Sequence, residues 1–395
     1  MELWQFGLVF VASLGTAVLV VLTRRWHGAW TSDFENSGVQ KHHKGSPPRV
    51  GLLPLLAGLV SGAYLLGQSS SSTLPLIGTA VAPTSLAQAS QFILTALLCA
   101  VPVLLFGLAD DVTKKVPPRV RMAGAAASAI LGAWLMGGLI VHSGITFVDW
   151  ALAAFWPLAL GLTILMVAGF TNAMNIVDGL HGLAGGLGVF MLLATAVLAA
   201  SVGDHMLVAV CLVAAAAVLG FLVLNFPRGL LFLGDGGAYL IGFILVQVWI
   251  ALEMRHDAIS PWDIVAIAIY PTMETIFSIY RRRLHRGRKG IATLADRLHL
   301  HSLLYRRRTL PLAKRSGWMD VWLANALASV WIICFALLPL GLMMWGLGHD
   351  ILTAGAILAG VGGYLLWYRS MTIRGQPDPG NTVPPLGVPV SGTGR

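Results

Sequence analysis

Long apolar runs alternate with short polar connections along this 395-residue chain, and charges, prolines or glycine clusters mark most of the boundaries. The runs are about 20 residues each, the length an α-helix needs to cross about 30 Å of hydrocarbon. They predict eleven membrane-spanning helices, near 3–23, 50–67, 90–109, 120–140, 149–168, 183–202, 205–225, 237–253, 261–280, 319–346 and 351–368. The expected fold class is therefore all-α, a polytopic integral membrane helical bundle. The first run lacks a basic segment ahead of it and is followed by Arg24 and Arg25, so it reads as an anchor and not as a cleaved leader.

Composition agrees with this pattern. The chain is 56% hydrophobic and 11% charged, with a mean hydropathy of +0.77. Soluble domains carry roughly a quarter charged residues, so a soluble enzyme, a disordered chain and a secreted disulfide scaffold are excluded. Cys99, Cys211 and Cys334 lie inside apolar runs and lack disulfide or zinc spacing, which points to packing.

The formal net charge of +9 would suit nucleic acid or anionic lipid, but its distribution says more. Lys and Arg number five in 24–49, four in 110–121, one in 226–235, twelve in 281–318 and three in the C-terminal tail, all on one set of alternate connections. Arg255 alone falls on the other set. Basic connections stay in the cytoplasm, so the N-terminus is expected outside and the C-terminus inside. The cations are thereby accounted for by membrane orientation and lipid headgroups, and no nucleic-acid partner is expected. Residues 375–395, rich in Pro and Gly, are expected to be a disordered tail.

Four polar segments on the basic side carry the candidate chemistry. Asp110 and Asp111 follow the apolar run VPVLLFGLA, with Lys114 next. Adjacent carboxylates repel each other and sit at the negative end of the helix dipole, so a cation is needed to keep both ionised. A charged stop-transfer flank is the plainer alternative. In GFTNAMNIVDGLHGLAGG, Asn172, Asn175, Asp178 and His181 recur every third residue and would form one stripe on a helix. That stripe is either a polar seam between helices or a substrate site at the membrane edge.

Asp235 lies among glycines at the start of a span, as a helix cap or as a hard oxygen ligand for Mg²⁺. The basic loop 281–318 holds Thr293 and Asp296, a plausible capping box for a short helix bearing Arg297, His299 and His301. Many of its cations suit lipid headgroups, and zinc is not expected because no cytoplasmic Cys accompanies the histidines. Together these acids, amides, histidines and cations suit a metal-bound diphosphate beside a lipid tail, and hence phosphoryl transfer at the membrane surface.

In this order, the segments resemble the polyprenyl-phosphate N-acetylhexosamine-1-phosphate transferases, the family that includes the initiators of O-antigen, common antigen and teichoic acid and the phospho-MurNAc-pentapeptide translocase. The matching pieces are Asp110-Asp111-x-x-Lys114, Asn172-x-x-Asn175-x-x-Asp178-Gly179, Asn225 through Gly234-Asp235-Gly236-Gly237, and Asp296-Arg297-x-His299-x-His301. A weaker match joins Gln40-Lys41-x-His43 to Pro48-Arg49-x-Gly51.

The resemblance implies a single transmembrane catalytic domain over 1–374, in the bacterial cytoplasmic (inner) membrane with its active site facing the cytoplasm. Its implied substrates are a UDP-N-acetylhexosamine and undecaprenyl phosphate, its products undecaprenyl-diphosphate-sugar and UMP, and its cofactor Mg²⁺, with Mn²⁺ as a substitute ion. Asp235, joined by Asn175, is implied as the metal ligand. Asp110 and Asp111 match an acidic pair proposed as a base, and Asp178 is implied as catalytic beside the nucleoside. Lys114, Asn172, His181, Asn225, Arg286, Arg288, Arg297, His299 and His301 are implied to bind substrate. A homodimer is the assembly the resemblance allows, although no residue pattern reads as its interface.

Two departures stand out. His181 replaces an Asp common in bacterial members, and the loop reads His-Leu-His-Ser where others continue with further histidines. The second argues against the peptidoglycan reaction and leaves GlcNAc, GalNAc and 6-deoxy N-acetylhexosamines open. A transporter or flippase is the main alternative. It would place ionisable groups near the midplane of broken, repeated helices, and no repeat is visible here.

Overall fold

A computed structural model describes residues 3–32, 46–69, 74–76, 79–81, 83–284 and 298–373. The chain runs through α1 (Leu3–Thr31), α2 (Leu52–Gln68), α3 (Pro83–Thr113), α4 (Pro118–Leu135), α5 (Thr146–Ala154), α6 (Trp156–Val177), α7 (Leu183–Ser201), α8 (His205–Asn225) and α9 (Gly234–Arg255). It continues through α10 (Pro261–Ile267), α11 (Ile269–Leu284), α12 (Leu300–Leu304), a π-helical turn (Tyr305–Thr309), α13 (Leu310–Ser316), α14 (Val321–Trp345) and α15 (Asp350–Ile373). One small departure from an all-helical chain is an antiparallel hairpin between α2 and α3, pairing Leu74–Leu76 with Thr79–Val81.

Helix occupies each of the eleven predicted runs, but they are not alike. Among the described residues, eight helices are long and apolar enough to cross a membrane, or nine if α10 and α11 count as one span. The two outside that set are α2, which has 17 residues, and α4, whose first turn carries Arg119 and Arg121.

Prolines set two breaks. The run predicted over 261–280 bends by 79° between α10 and α11, where Pro271 has no N–H to offer the Ile267 carbonyl. The run predicted over 149–168 is divided at Phe155, with Pro157 in the first turn of α6. That helix then continues to Val177, past Asn172 and Asn175.

The most enclosed helix, α9, packs against α3, α6 and α7 and is buried along nearly its whole length, Gln247 and Glu253 included. The outer helices turn apolar side chains outward, such as Leu8, Val11 and Leu22 of α1 and Ile351 and Leu358 of α15. This apolar exterior, wrapped around spans whose backbone bonds close within each helix, is what a hydrocarbon solvent demands. The chain is a multi-pass membrane protein. At the end remote from the polar segments, Asp204 caps α8 through Leu207 N and meets Arg255 Nε at 3.0 Å and His256 Nε2 at 2.8 Å, so the one segregation-breaking cation has a buried partner.

Candidate active site

The C-terminal ends of α1, α3 and α6 meet the N-terminal ends of α2 and α9 at one end of the bundle. The segment leading into α2 is tied to the loop before α9, since Phe232 N donates to Pro48 O at 2.8 Å and Gly51 N to Phe232 O at 3.0 Å. Arg49 N donates to Thr31 O at 2.7 Å, which fixes the same segment to α1. These backbone bonds place the Arg49 side chain over the start of α9.

Four predicted carboxylates converge there, from three helices. Arg49 Nη2 donates to Asp235 Oδ1 at 3.1 Å and lies 3.4 Å from Asp111 Oδ1. Arg121 Nη1 donates to Asp110 Oδ2 at 3.1 Å and also to Asp235 Oδ2. Asp110 further accepts from Val116 N at 3.0 Å, and Asp111 accepts from Asp235 N and Gly236 N at 2.8 and 3.0 Å. Asp178, capping the end of α6, accepts from Gly234 N and is near Arg49 and Asp235. Burial pushes its carboxyl up to about 7, with Arg49 pulling the other way and Asp235 adding to the rise. Four carboxylates against two guanidinium groups leave these six side chains with a formal excess of negative charge. Among the described residues, no three His, Cys, Asp or Glu side chains are arranged to hold a metal ion by themselves.

Glycine is required at one point of this junction. Gly234 has φ +73°, and a Cβ there would stand 2.5 Å from Arg49 O and 2.6 Å from Asp111 Oδ2.

The predicted four-residue stripe is not one helix face. Asn172 and Asn175 lie on the last turns of α6, both half-buried, and Asp178 ends the helix. His181 lies in the turn beyond, where Gly182 takes φ +76°. His181 Nδ1 donates to Pro227 O at 3.0 Å, its backbone N donates to Asn325 Oδ1 at 2.7 Å, and its ring packs on Phe232. Asn225 has both ends of its amide committed to backbone, accepting from Gly182 N at 2.6 Å and donating to Leu231 O at 2.8 Å. It thus ties the α6–α7 turn to the loop that leads into Asp235. Lys114, at φ +54°, extends its ammonium to Ser32 O at 3.2 Å.

The histidine segment reaches the same region. Buried His299 precedes α12 and buried His301 lies within it, their rings parallel and 5.3 Å apart. A Cβ on Gly179 would come within 2.4 Å of His301 Nε2, so that ring rests against the residue following Asp178. Glu274, buried on α11, accepts from His299 Nδ1 at 2.8 Å and Leu300 N at 3.1 Å. Arg281 Nη1 donates to Leu298 O at 2.8 Å and to Tyr368 Oη at 2.9 Å, securing the same segment. Arg286, Arg288 and Arg297 lie outside the described residues, as do Gln40, Lys41, His43, Thr293, Asp296 and the tail 375–395.

Arg121, Glu274, Arg281 and Asn325 were not among the predicted site residues, and Arg49 entered only through the weaker motif. Glu274 and Asn325 did leave a signal, since a lone acid or amide inside an apolar run needs a buried partner.

Comparison with known proteins places the sequence that builds this site in a family. Residues 93–253 match Glycosyl transferase family 4, a stretch that includes Asp110, Asp111, Asp178 and Asp235. Over 221 residues, 53% of this chain and 68% of the relative, the chain is 30% identical to the phospho-N-acetylmuramoyl-pentapeptide-transferase of Moorella thermoacetica. It is 33% identical over 176 residues to a probable undecaprenyl-phosphate N-acetylglucosaminyl 1-phosphate transferase of Bacillus subtilis, covering 44% of this chain and 47% of that one. It is also 30% identical over 249 residues to the undecaprenyl-phosphate alpha-N-acetylglucosaminyl 1-phosphate transferase of Escherichia coli K12, covering 60% and 64%. The chain thus spans about half the length of the Bacillus relative and about two thirds of the other two. It belongs to glycosyl transferase family 4.

Proposed function

We propose that this chain moves an N-acetylhexosamine-1-phosphate from a UDP-N-acetylhexosamine to undecaprenyl phosphate at the cytoplasmic face of a bacterial inner membrane. The products are undecaprenyl-diphosphate-sugar and UMP, and the step initiates a cell-envelope glycan. The observation that carries this reading is the meeting of Asp110, Asp111, Asp178 and Asp235 with Arg49 and Arg121 at one end of an apolar bundle. The cytoplasmic orientation is supported by the segregation of all but one Lys and Arg to that set of connections.

What supports Mg²⁺ is the donor set, which offers hard oxygens and an excess of negative charge. Mg²⁺ is held by one or two carboxylates, with phosphate and water completing its shell, so a protein cage of three or more ligands is not needed. Asp235, with Asn175, would hold it. When bound, it would neutralise the diphosphate and stabilise charge developing on the transferred group.

An oxygen of the lipid phosphate attacks the sugar-bearing phosphorus, and the bond from that phosphorus to the UMP oxygen breaks. A phosphate monoester has its second pKa near 6, so the nucleophile is already ionised at neutral pH. The harder task is to bring anions together. Arg49 and Arg121 supply fixed positive charge there, and Asp235 orients both. Asp178, Asn172, Lys114 and His181 contribute to the nucleoside side, and His299 and His301, with the basic loop, to the diphosphate and sugar. The greater exposure of Asp110 than of Asp111 supports Asp110 as the member of the pair nearer the incoming lipid phosphate.

The test uses purified protein in detergent with Mg²⁺, undecaprenyl phosphate and a panel of UDP-N-acetylhexosamines, following UMP and lipid-linked sugar together. One sugar giving both products, abolished by EDTA and by Asp235→Asn, is the expected result. No UMP with any sugar from folded protein would overturn the reading.

A further inference from the structure

We infer that Asp111 is a positioning residue that caps α9 from another helix and thereby fixes the Asp235 carboxylate. A helix leaves its first N–H groups without partners inside the helix, and a side chain just before the helix ordinarily answers one of them. Here the preceding residue is Leu233, whose side chain makes no cap. The N–H groups of Asp235 and Gly236 are taken instead by the two oxygens of Asp111, from the end of α3 and more than a hundred residues earlier in the chain. Its carboxyl also lies at the positive end of the α9 dipole, which gives the two members of the adjacent acidic pair different surroundings. Asp111 is balanced by α9 and Arg49, and Asp110 by Arg121 and Val116 N.

The contact is built into the packing. A Cβ on Gly107 would be 2.9 Å from Gly236 Cα, so α3 touches the backbone of α9 there and Asp111 follows one turn later. The Asp111 side chain is 1% exposed, against 18% for Asp110. With both oxygens committed to N–H groups, Asp111 acts through Asp235 and not on substrate. Its effect on turnover rests on the transfer reaction proposed above; the cap itself does not.

The test compares the wild-type full chain with Asp111→Asn and Asp110→Asn in detergent. Hydrogen exchange over residues 233–238 is measured without substrate, followed by UMP release across pH. Asp111→Asn is expected to speed exchange in that segment tenfold or more. It should lower kcat by about 10- to 100-fold, the scale seen when a group orienting a metal ligand is lost, with donor KM and the shape of the pH profile retained. Asp110→Asn should leave that exchange as in wild type. If Asp111→Asn does not fold, Asp111→Glu, which displaces the carboxylate by one methylene, is read by the same criteria. Unchanged exchange in the variant, or loss of a pH limb belonging to a proton-accepting group, would overturn the inference. Exchange needs no turnover, so a wild-type chain that released no UMP would defeat the proposed reaction and leave the capping role decided separately.

Discussion

His299 Nδ1 donates to Glu274 Oε1 at 2.8 Å, and the same oxygen accepts from Leu300 N at 3.1 Å. One buried carboxylate on α11 therefore sets both the ring and the backbone at the start of α12, and through the parallel His301 ring it reaches Gly179. Tyr270 Oη donates to the other oxygen, Oε2, at 3.2 Å, so Glu274→Ala would strand three buried donors, each costing about 1–3 kcal/mol. The apparent melting temperature in detergent should fall clearly, and less for Glu274→Gln, which keeps an acceptor. Equal melting of both variants and wild type would show that this contact does not hold the segment.

Asp235 is the acid on which both arginines converge, and in the proposed reaction it is also the metal ligand. Asp235→Asn should lower UMP release by roughly three orders of magnitude, the upper range for loss of one strong electrostatic contact in an active site. Asp110→Asn and Asp111→Asn should each cost less, because an ionised phosphate nucleophile needs no strong base. Turnover numbers for the three purified variants decide this, and comparable losses would count against the ranking.

Asp178 gives a pH dependence with a definite sign. Its carboxyl titrates near 7 in the folded chain against about 3.9 when unfolded. Below the unfolded value both states hold the proton and nothing is lost. As pH rises toward 7 the unfolded chain gives up the proton first, so folded stability declines across that window and then levels off. Asp178→Asn should therefore melt higher than wild type at pH 8, with the gap closing toward pH 4, while its kcat/KM falls. A melting difference independent of pH would show that burial does not raise this carboxyl.

The apolar runs made the helical architecture legible because helix length against bilayer thickness is a strong constraint. Even the breaks at Phe155 and between α10 and α11 had their prolines in view. The polar motifs marked the end of the bundle where Asp110, Asp111, Asp178 and Asp235 meet. Their division of labour was not legible. In the sequence Arg121 is one of four cations in 110–121, and nothing local ties it to Asp235. That Asn225 spends its amide on Gly182 N and Leu231 O is not legible in the sequence, where a solvated amide and a backbone-bonded one read alike. Glu274 falls inside the apolar run predicted over 261–280. Sequence periodicity places a residue on a helix but does not say which distant backbone group its side chain will answer.

Two glycines separate backbone freedom from close approach. Gly203 and Gly234 have nearly the same positive φ, +74° and +73°, but a Cβ at Gly203 meets nothing within 4 Å. At Gly234 it would meet Arg49 O at 2.5 Å and Asp111 Oδ2 at 2.6 Å. Alanine at either position forces a left-handed residue, at about 1–2 kcal/mol. Gly203→Ala should show that cost as a modest drop in melting temperature and retain UMP release. Gly234→Ala must in addition push apart the Arg49 segment and the Asp111 cap, so activity should fall by 100-fold or more, the scale for about a 1 Å misplacement of reacting groups. If both variants kept wild-type turnover, the junction of α3, α9 and the Arg49 segment would not be what positions the chemistry.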